Sequence, residues 1–404
     1  SFGLLYYGTD EVPGNMGLLD QAMAIQWVHK NIKNFGGNPD KITFMGESAG
    51  SASVGYHMIS KKTRDLFQRA ILMSGSPLNY WAYNSPAEAL GRSLLFASYA
   101  GCKSDSYQAR RMCLIMLKTE DLLEADKSVL SMTPTVDGDF IHISPFEAIA
   151  TQDYAKKPVL AGLVENEGMP GIIYFLQSVV TPDYTNFMRD NYDLFLRMMS
   201  YFLRDDLTKI KALGEFYRFK YGKYNYGEVA ELLFGDFFIS CAALDFINNI
   251  TAGRTDSYFY YFNHRSIYDR DPSYTDVMHG GELQCLFGRP WDVPEDYSNP
   301  DREISEKMMK LWASFAKTGI PDETWKTYDP SRLTNNFIQT DDEKKIALTR
   351  PRYCHRWNMY STYYETVSVN DMCEFLDNAV YEATNWFTYY LGLWITRAKK
   401  CYKW

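Results

Sequence analysis

Apolar residues recur at helical spacing in two long segments of the chain. The first predicts an amphipathic helix over residues 17–31, in which one row comprises Leu18, Ala22, Ile25 and His29 and the adjacent row Leu19, Met23 and Trp27. The second predicts a helix whose buried side comprises Ile304, Met308, Leu311, Trp312 and Phe315. Gly319 and Pro321 follow it and are expected to end it.

Short apolar runs bounded by turn residues predict buried strands at 41–45, 70–73, 159–164 and 257–262, and a further helix is predicted at 51–59. Strands separated by helices indicate the α/β class, with a mostly parallel sheet flanked by helices. Because no linker interrupts this pattern, we expect one domain over 1–380 and an aromatic amphipathic tail over 381–404. The chain opens on an apolar segment typical of the end of a strand, so we expect a domain truncated at its N-terminus, with the early strands missing.

Composition narrows the function classes. The 404 residues include 42 Lys and Arg against 50 Asp and Glu, a net charge of −8, and no basic block, which argues against nucleic acid as the main partner. A hydrophobic fraction of 46% excludes wholesale disorder. The longest uncharged apolar stretch, at 383–396, is shorter than the roughly 18 residues that a membrane span needs.

Candidate chemistry begins at Gly46-Glu47-Ser48-Ala49-Gly50, a G-x-S-x-G motif between a predicted strand and a predicted helix. In that context the serine lies on a strained turn, and we expect any side chain at position 46 or 50 to collide with the adjoining elements. The turn directs the backbone N–H of Ala49 at an oxyanion. These features make Ser48 a candidate nucleophile.

A nucleophilic serine needs a base and an acid. In this motif's usual context the acid follows the serine along the chain, and the histidine base follows the acid. Of the six histidines, His279 lies in a Gly-flanked loop late in the chain, whereas His29 and His57 lie on predicted helices, where structural roles are more common. The acid is expected after the strand at 159–164. From spacing alone, Glu165 and Glu167 are almost equal candidates.

Further motifs run through nearly the whole chain. They are Gly14-Asn15-Met16-Gly17-Leu18-Leu19-Asp20-Gln21, Phe35-Gly36-Gly37-Asn38-Pro39, Ser74-Gly75-Ser76-Pro77, Val136-Asp137-Gly138-Asp139-Phe140, Tyr261-Phe262-Asn263-His264-Arg265 and Phe315-Ala316-Lys317-Thr318-Gly319. With them the chain resembles the type-B carboxylesterases and, within that family, the cholinesterases. The resemblance implies an α/β-hydrolase fold, an acyl-enzyme on the serine, a small-molecule ester substrate and no metal or organic cofactor.

The resemblance assigns roles to individual residues. It selects Glu167 as the acid, places Glu47 where it adds negative field near a cationic substrate, and makes Ser74 and Glu282 a buried pair that supports the histidine loop. Trp81 matches an acyl-pocket tryptophan, although a core aromatic explains it equally well. The family's Gly-Gly oxyanion element and choline-binding tryptophan would precede Ser1, which supports the expected truncation.

Two departures from the cholinesterase pattern bear on the substrate. The aligned acyl-pocket positions are Ser128 and Leu130 rather than two phenylalanines, which leaves room for butyryl or bulkier acyl groups. Met169, Pro170 and Gly171 replace aromatic residues that help to hold the quaternary ammonium, and only Tyr174 keeps a ring nearby. The alternatives are therefore a general carboxylesterase without choline preference, or a non-catalytic neuroligin-like adhesion protein.

Seven cysteines also bear on the cellular setting. The resemblance implies the disulfides Cys102–Cys113 and Cys241–Cys373, and it leaves Cys285 and Cys354 as buried thiols. Disulfides indicate an oxidising environment, hence a secreted protein or the extracellular cell surface.

Two further features concern modification and assembly. The sequon that begins at Asn249 would permit glycosylation. The tail is similar to the Trp-rich tail of some cholinesterases, in which Cys401 would form an interchain disulfide of a homo-oligomer; a frayed amphipathic tail is the alternative.

Overall fold

A computed structural model of the chain describes residues 2–126, 132–168, 184–203, 207–221, 225–252, 256–266, 277–330, 336–339 and 354. Its strands are β1 (Tyr6–Thr9), β2 (Val12–Pro13), β3 (Thr43–Glu47), β4 (Arg69–Met73), β5 (Val159–Val164), β6 (Ser257–Phe262) and β7 (Asn336–Ile338).

The helices alternate with these strands along the chain. They are α1 (Met16–Asn31), α2 (Ala49–Ile59), α3 (Pro86–Tyr99), α4 (Tyr107–Met116), α5 (Thr119–Asp126), α6 (Pro145–Thr151), α7 (Tyr184–Asp190), α8 (Tyr192–Leu203), α9 (Leu207–Tyr221), α10 (Tyr226–Gly235), α11 (Cys241–Thr251), α12 (Leu283–Leu286), α13 (Arg289–Asp292) and α14 (Asn299–Thr318). A π-helical turn, Asp236–Ser240, joins α10 to α11.

One unit of the fold comprises the described parts of Ser1–Met23 and Trp81–Ser144. There β1 pairs with β2 in antiparallel orientation, and a hydrophobic cluster includes Tyr7, Phe96 and Leu114. The disulfide Cys102–Cys113 joins the segment before α4 to α4 itself, which confirms that predicted pair.

The other unit comprises Ala24–Tyr80 and the described parts of Pro145–Asn358, and it contains a parallel sheet in the order β3-β4-β5-β6-β7. Strands β5 and β6 are buried along their whole length. Helix α14 packs its row of apolar residues into the core beside the sheet. This arrangement confirms the predicted α/β class, and parallel strands bring their carboxyl ends to one edge, where the candidate residues lie.

Two predictions about burial were wrong. The strand predicted at 41–45 lies at 43–47 and is only half-buried, since within the described residues it pairs on one side only, with β4. In α1, Leu18, Ala22 and Ile25 are buried as predicted, but Met23 and Trp27 are 69% and 55% exposed, because the helix buries a single row.

None of the helices in the described ranges has both the length and the apolar character to cross a bilayer. The boundary between 1–380 and 381–404 lies outside the described residues, so that division stays a prediction.

Candidate active site

The turn between β3 and α2 holds Ser48 in a strained conformation. Ser48 has φ +57° and ψ −119°, which a non-glycine residue adopts rarely, and its N–H donates to the Met73 carbonyl (2.9 Å). A Cβ at Gly46 would lie 2.2 Å from the Gly50 carbonyl group, so the sharp turn requires glycine there. A Cβ at Gly50 would meet nothing within 4 Å, so the collision expected at position 50 was wrong: it faces open space.

A second glycine supports the same turn from β4. A Cβ at Gly75 would lie 2.5 Å from the Ser48 backbone oxygen, so the loop after β4 can approach the turn only because position 75 has no side chain. Sequence reasoning assigned no role to Gly75, although its motif, Ser74-Gly75-Ser76-Pro77, was noted. The close approach depends on two loops far apart in the chain, and no local pattern indicates it.

His279 lies within hydrogen-bonding distance of the serine. Its Nε2 is 2.8 Å from Ser48 Oγ, and its Nδ1 is 2.6 Å from Glu167 Oε2. The histidine loop is tied to the acid loop through the backbone, because the Asn166 N–H donates to the Val277 carbonyl (2.9 Å). The imidazole is therefore held between a hydroxyl and a carboxylate from two other loops.

Glu167 is oriented by two donors in addition to the imidazole. Its Oε1 accepts hydrogen bonds from Ser74 Oγ (2.7 Å) and from the Val164 N–H (2.9 Å), and the residue is 3% exposed. Thus, of the two acids left open by spacing, Glu167 is the one placed against Nδ1, and Ser74 contacts it directly.

The acid loop also packs against α10, a contact that sequence reasoning missed. Asn166 Nδ2 donates to Glu231 Oε2 (2.6 Å), and a Cβ at Gly168 would lie 2.0 Å from the Glu231 carbonyl oxygen. The Asn between the two glutamates was the available signal, but its partner is 65 residues away. These contacts hold the backbone on both sides of Glu167.

Carboxylates dominate the electrostatics around the imidazole. Burial alone would lower the pKa of His279, but the hydrogen bond to Glu167 and the negative charges of Glu167 and Glu47 outweigh it and raise that pKa. Burial raises the pKa of Glu47, with the charge of Glu167 adding to the effect and that of His279 opposing it. Glu47 Oε1 lies 3.3 Å from His279 Nε2 but makes no hydrogen bond with a described residue.

The remaining predicted residues are spread over the chain. Ala49 is the first residue of α2, so its N–H belongs to the helix N–H groups that lack an intrahelical acceptor. Trp81 lies half-buried in a 3₁₀ turn, Tyr80–Ala82. Asn249 is exposed in the last turn of α11. The described ranges do not include five of the predicted residues: Ser128, Leu130, Tyr174, Cys373 and Cys401.

The second predicted disulfide was wrong. Cys241 pairs with Cys354, with Cα atoms 5.1 Å apart, so it is not available to Cys373, which lies outside the described residues. The expectation that Cys354 is a thiol fails for the same reason, whereas Cys285 is a buried free cysteine as predicted. Sequence does not encode connectivity, which requires two Cα atoms to come within bonding reach in the fold.

None of the described residues forms a group of three His, Cys, Asp or Glu side chains that could hold a metal ion. The described site places a hydroxyl, an imidazole and a buried carboxylate in series. This arrangement can transfer the serine proton to the imidazole while the carboxylate holds the opposite nitrogen.

Comparison with known proteins identifies the family of the chain. The sequence profile of the carboxylesterase family matches residues 1–357. Over 376 residues the chain is 33% identical to the acetylcholinesterase of Bungarus fasciatus, a match that covers 89% of this chain and 62% of the relative. Over 380 residues it is 32% identical to the cholinesterase of Mus musculus, covering 88% of this chain and 62% of the relative. The chain thus spans just under two thirds of the length of these relatives.

Proposed function

Since the chain belongs to the carboxylesterase family, and hence to the α/β-hydrolases, we propose that it hydrolyses carboxylic esters through an acyl-enzyme on Ser48. One observation carries the proposal: Ser48 Oγ, His279 and Glu167 form a continuous series of contacts of 2.8 and 2.6 Å. A neuroligin-like adhesion protein has no need of an activated serine, so an intact series favours the enzyme.

The reaction proceeds in two steps. Ser48 Oγ attacks the ester carbonyl carbon while His279 Nε2 accepts its proton, and the Ala49 N–H contributes a donor to the oxyanion. His279 then gives that proton to the departing alcohol, which leaves Ser48 acylated. A water molecule, deprotonated by His279, attacks the acyl carbon; the bond to Ser48 Oγ then breaks, His279 returns the proton to that oxygen, and the acid is released. Throughout, Glu167 holds Nδ1 and stabilises the charged imidazole.

Choline esters are the proposed substrate class. The names of both relatives point to them, and Glu47 supplies a carboxylate beside the nucleophile. The resemblance aligns Ser128 and Leu130 with two acyl-pocket phenylalanines, and on that basis butyryl esters should be accepted as well as acetyl esters. One methylene group is worth about 1–3 kcal/mol, hence the preference is relaxed rather than absolute.

A general carboxylesterase is the second candidate, because Met169, Pro170 and Gly171 stand where cholinesterases place aromatic rings. Each ring lost removes roughly 0.5–2 kcal/mol of cation–π attraction for a quaternary ammonium. This candidate predicts activity on neutral esters without a preference for choline.

The two disulfides support an oxidising environment, and we propose secretion or display at the cell surface. The exposed side chain of Asn249 suits the proposed glycan, and Cys401 remains the proposed link between copies of the chain.

The deciding experiment measures hydrolysis of acetylthiocholine, butyrylthiocholine and a neutral phenyl ester. Ser48→Ala should abolish all of it, and Ser53→Ala, which removes a half-buried hydroxyl that donates to the Ala49 carbonyl on the same helix, should not. Activity on choline esters supports the cholinesterase, and activity on the phenyl ester alone supports the general carboxylesterase. If no activity depends on Ser48 and an organophosphate fails to label it, the adhesion protein is the correct interpretation.

A further inference from the structure

Glu282 is a buried carboxyl group without a counter-charge. It lies three residues after His279, at the start of α12, and is 0% exposed. Its Oε1 is 3.5 Å from the hydroxyl of Tyr260, and its Oε2 has no hydrogen-bond partner among the described residues. No Lys or Arg of the described ranges forms an ion pair with it. An ionised carboxylate in this position would be poorly stabilised.

Two other carboxyl groups already face the same imidazole. Glu167 Oε2 contacts Nδ1 at 2.6 Å, and Glu47 Oε1 lies 3.3 Å from Nε2. The charged groups that act on Glu282 are Glu167, Glu47 and His279; a hydrogen bond from its own backbone N–H favours the ionised form, and the Tyr260 hydroxyl lies alongside. One imidazole can offset at most one negative charge. Where several carboxyls share a site, the one with the least compensation keeps its proton.

We propose that Glu282 acts as a neutral carboxylic acid that sets the protonation state of His279, while Glu167 remains the charged partner of the imidazole. Glu282 is thus a positioning residue rather than a catalytic one. The inference rests on the proposed function only in making His279 the base. Burial, with the charge of Glu167 next, raises the pKa of Glu282 to about 8, in agreement with this geometry.

Neutrality at this position has a consequence for proton transfer. His279 can accept the Ser48 proton only when Nε2 is unprotonated, and every additional negative charge nearby stabilises the imidazolium. An ionised Glu282 would reduce the fraction of imidazole that is ready to act as base at neutral pH. A protonated Glu282 fills the same space without that effect.

The first test replaces the group by its neutral analogue. Glu282→Gln should keep kcat/KM within about threefold of the wild type at neutral pH, because it exchanges one neutral polar group for another of the same shape. Above the pKa of Glu282 the two should diverge: the wild type gains a negative charge beside His279 and the variant does not. A loss of 100-fold or more at neutral pH in a folded Glu282→Gln chain would overturn the proposal.

The second test needs no enzymatic activity. Infrared difference spectra between neutral and alkaline pH should show a protonated carboxyl group that loses its proton, and Glu282→Gln should abolish that signal. Glu88→Gln should leave it unchanged, since the Glu88 carboxylate accepts hydrogen bonds from the Ser85 N–H and hydroxyl (both 3.0 Å).

The outcomes separate the two proposals. Wild-type chain without any protonated carboxyl signal at neutral pH would overturn this one, whether or not the variant folds. If the infrared signal is present in a chain that has no esterase activity, the result would support a protonated Glu282 and would refute the proposed function instead.

Discussion

Replacing Glu167 by Gln tests the acid position with almost no change in shape. The amide has two orientations, and both conflict with the site. If its NH₂ faces His279, Nδ1 must accept, so the ring proton moves to Nε2, which can no longer take the proton of Ser48. If the amide is flipped, its NH₂ faces the two groups that donate to Glu167 Oε1. The Ser74 hydroxyl can rotate and accept a hydrogen bond from the NH₂, but the backbone N–H of Val164 is fixed and remains opposite another donor.

The size of the expected loss in kcat/KM follows from these contacts. The flipped orientation leaves the buried N–H of Val164 without an acceptor, which costs about 1–3 kcal/mol. The other orientation, in which the NH₂ faces His279 and the site is inactive, is therefore populated roughly 5- to 150-fold more. In the flipped orientation the imidazolium also loses a charged partner, worth about 1.5–3 kcal/mol more. Together these effects, about 2.5–6 kcal/mol, predict a loss of about 10²–10⁴ in kcat/KM, and the loss seen when the acid of a serine protease triad becomes an amide lies at the upper end of that range.

The assay is hydrolysis of a neutral phenyl ester over a range of pH, which avoids any dependence on choline binding. Glu165→Gln is the matched control, since it changes the neighbouring glutamate that spacing alone could not distinguish, and it should retain full activity. A Glu167→Gln variant within tenfold of the wild type would refute the reasoning, as would an equal loss in Glu165→Gln.

Three further predictions concern the turn, the second disulfide and a buried histidine. Gly46→Ala should reduce activity at least about 100-fold by displacing the oxyanion donor, while Gly50→Ala stays near wild type; equal activities in an ester assay would contradict this. Cys354→Ser should lower the free energy of unfolding by about 4–5 kcal/mol by opening a loop of more than 100 residues, whereas Cys373→Ser should not, which denaturant unfolding and disulfide mapping can check. Burial lowers the pKa of His57 from 6.5 to about 4. Between pH 6.5 and about 4 the unfolded chain therefore binds more protons than the folded chain. The free energy of unfolding should fall by about 3 kcal/mol as the pH drops through this interval. His57→Gln should remove most of that dependence in urea unfolding; an unchanged slope would rule out His57 as its source.

The sequence by itself determined those features that depend on neighbouring residues. Periodicity located α14 and its buried row, and apolar runs located β5 and β6. The G-x-S-x-G motif identified the turn at Ser48, because the strain and the crowding at Gly46 arise within five residues. Chain order and a Gly-flanked loop were enough to select His279, and further motifs indicated the family.

The tertiary structure decided which distant groups meet. Spacing could not separate Glu165 from Glu167, because the contact with His279 spans 112 residues and depends on donors from β5 and the loop after β4. The partner of Cys241 depends on the same kind of long-range approach, and the resemblance named the wrong cysteine. The gathering of Glu47, Glu167 and Glu282 around one imidazole is also a property of the fold, since burial and mutual repulsion act only once the loops have assembled.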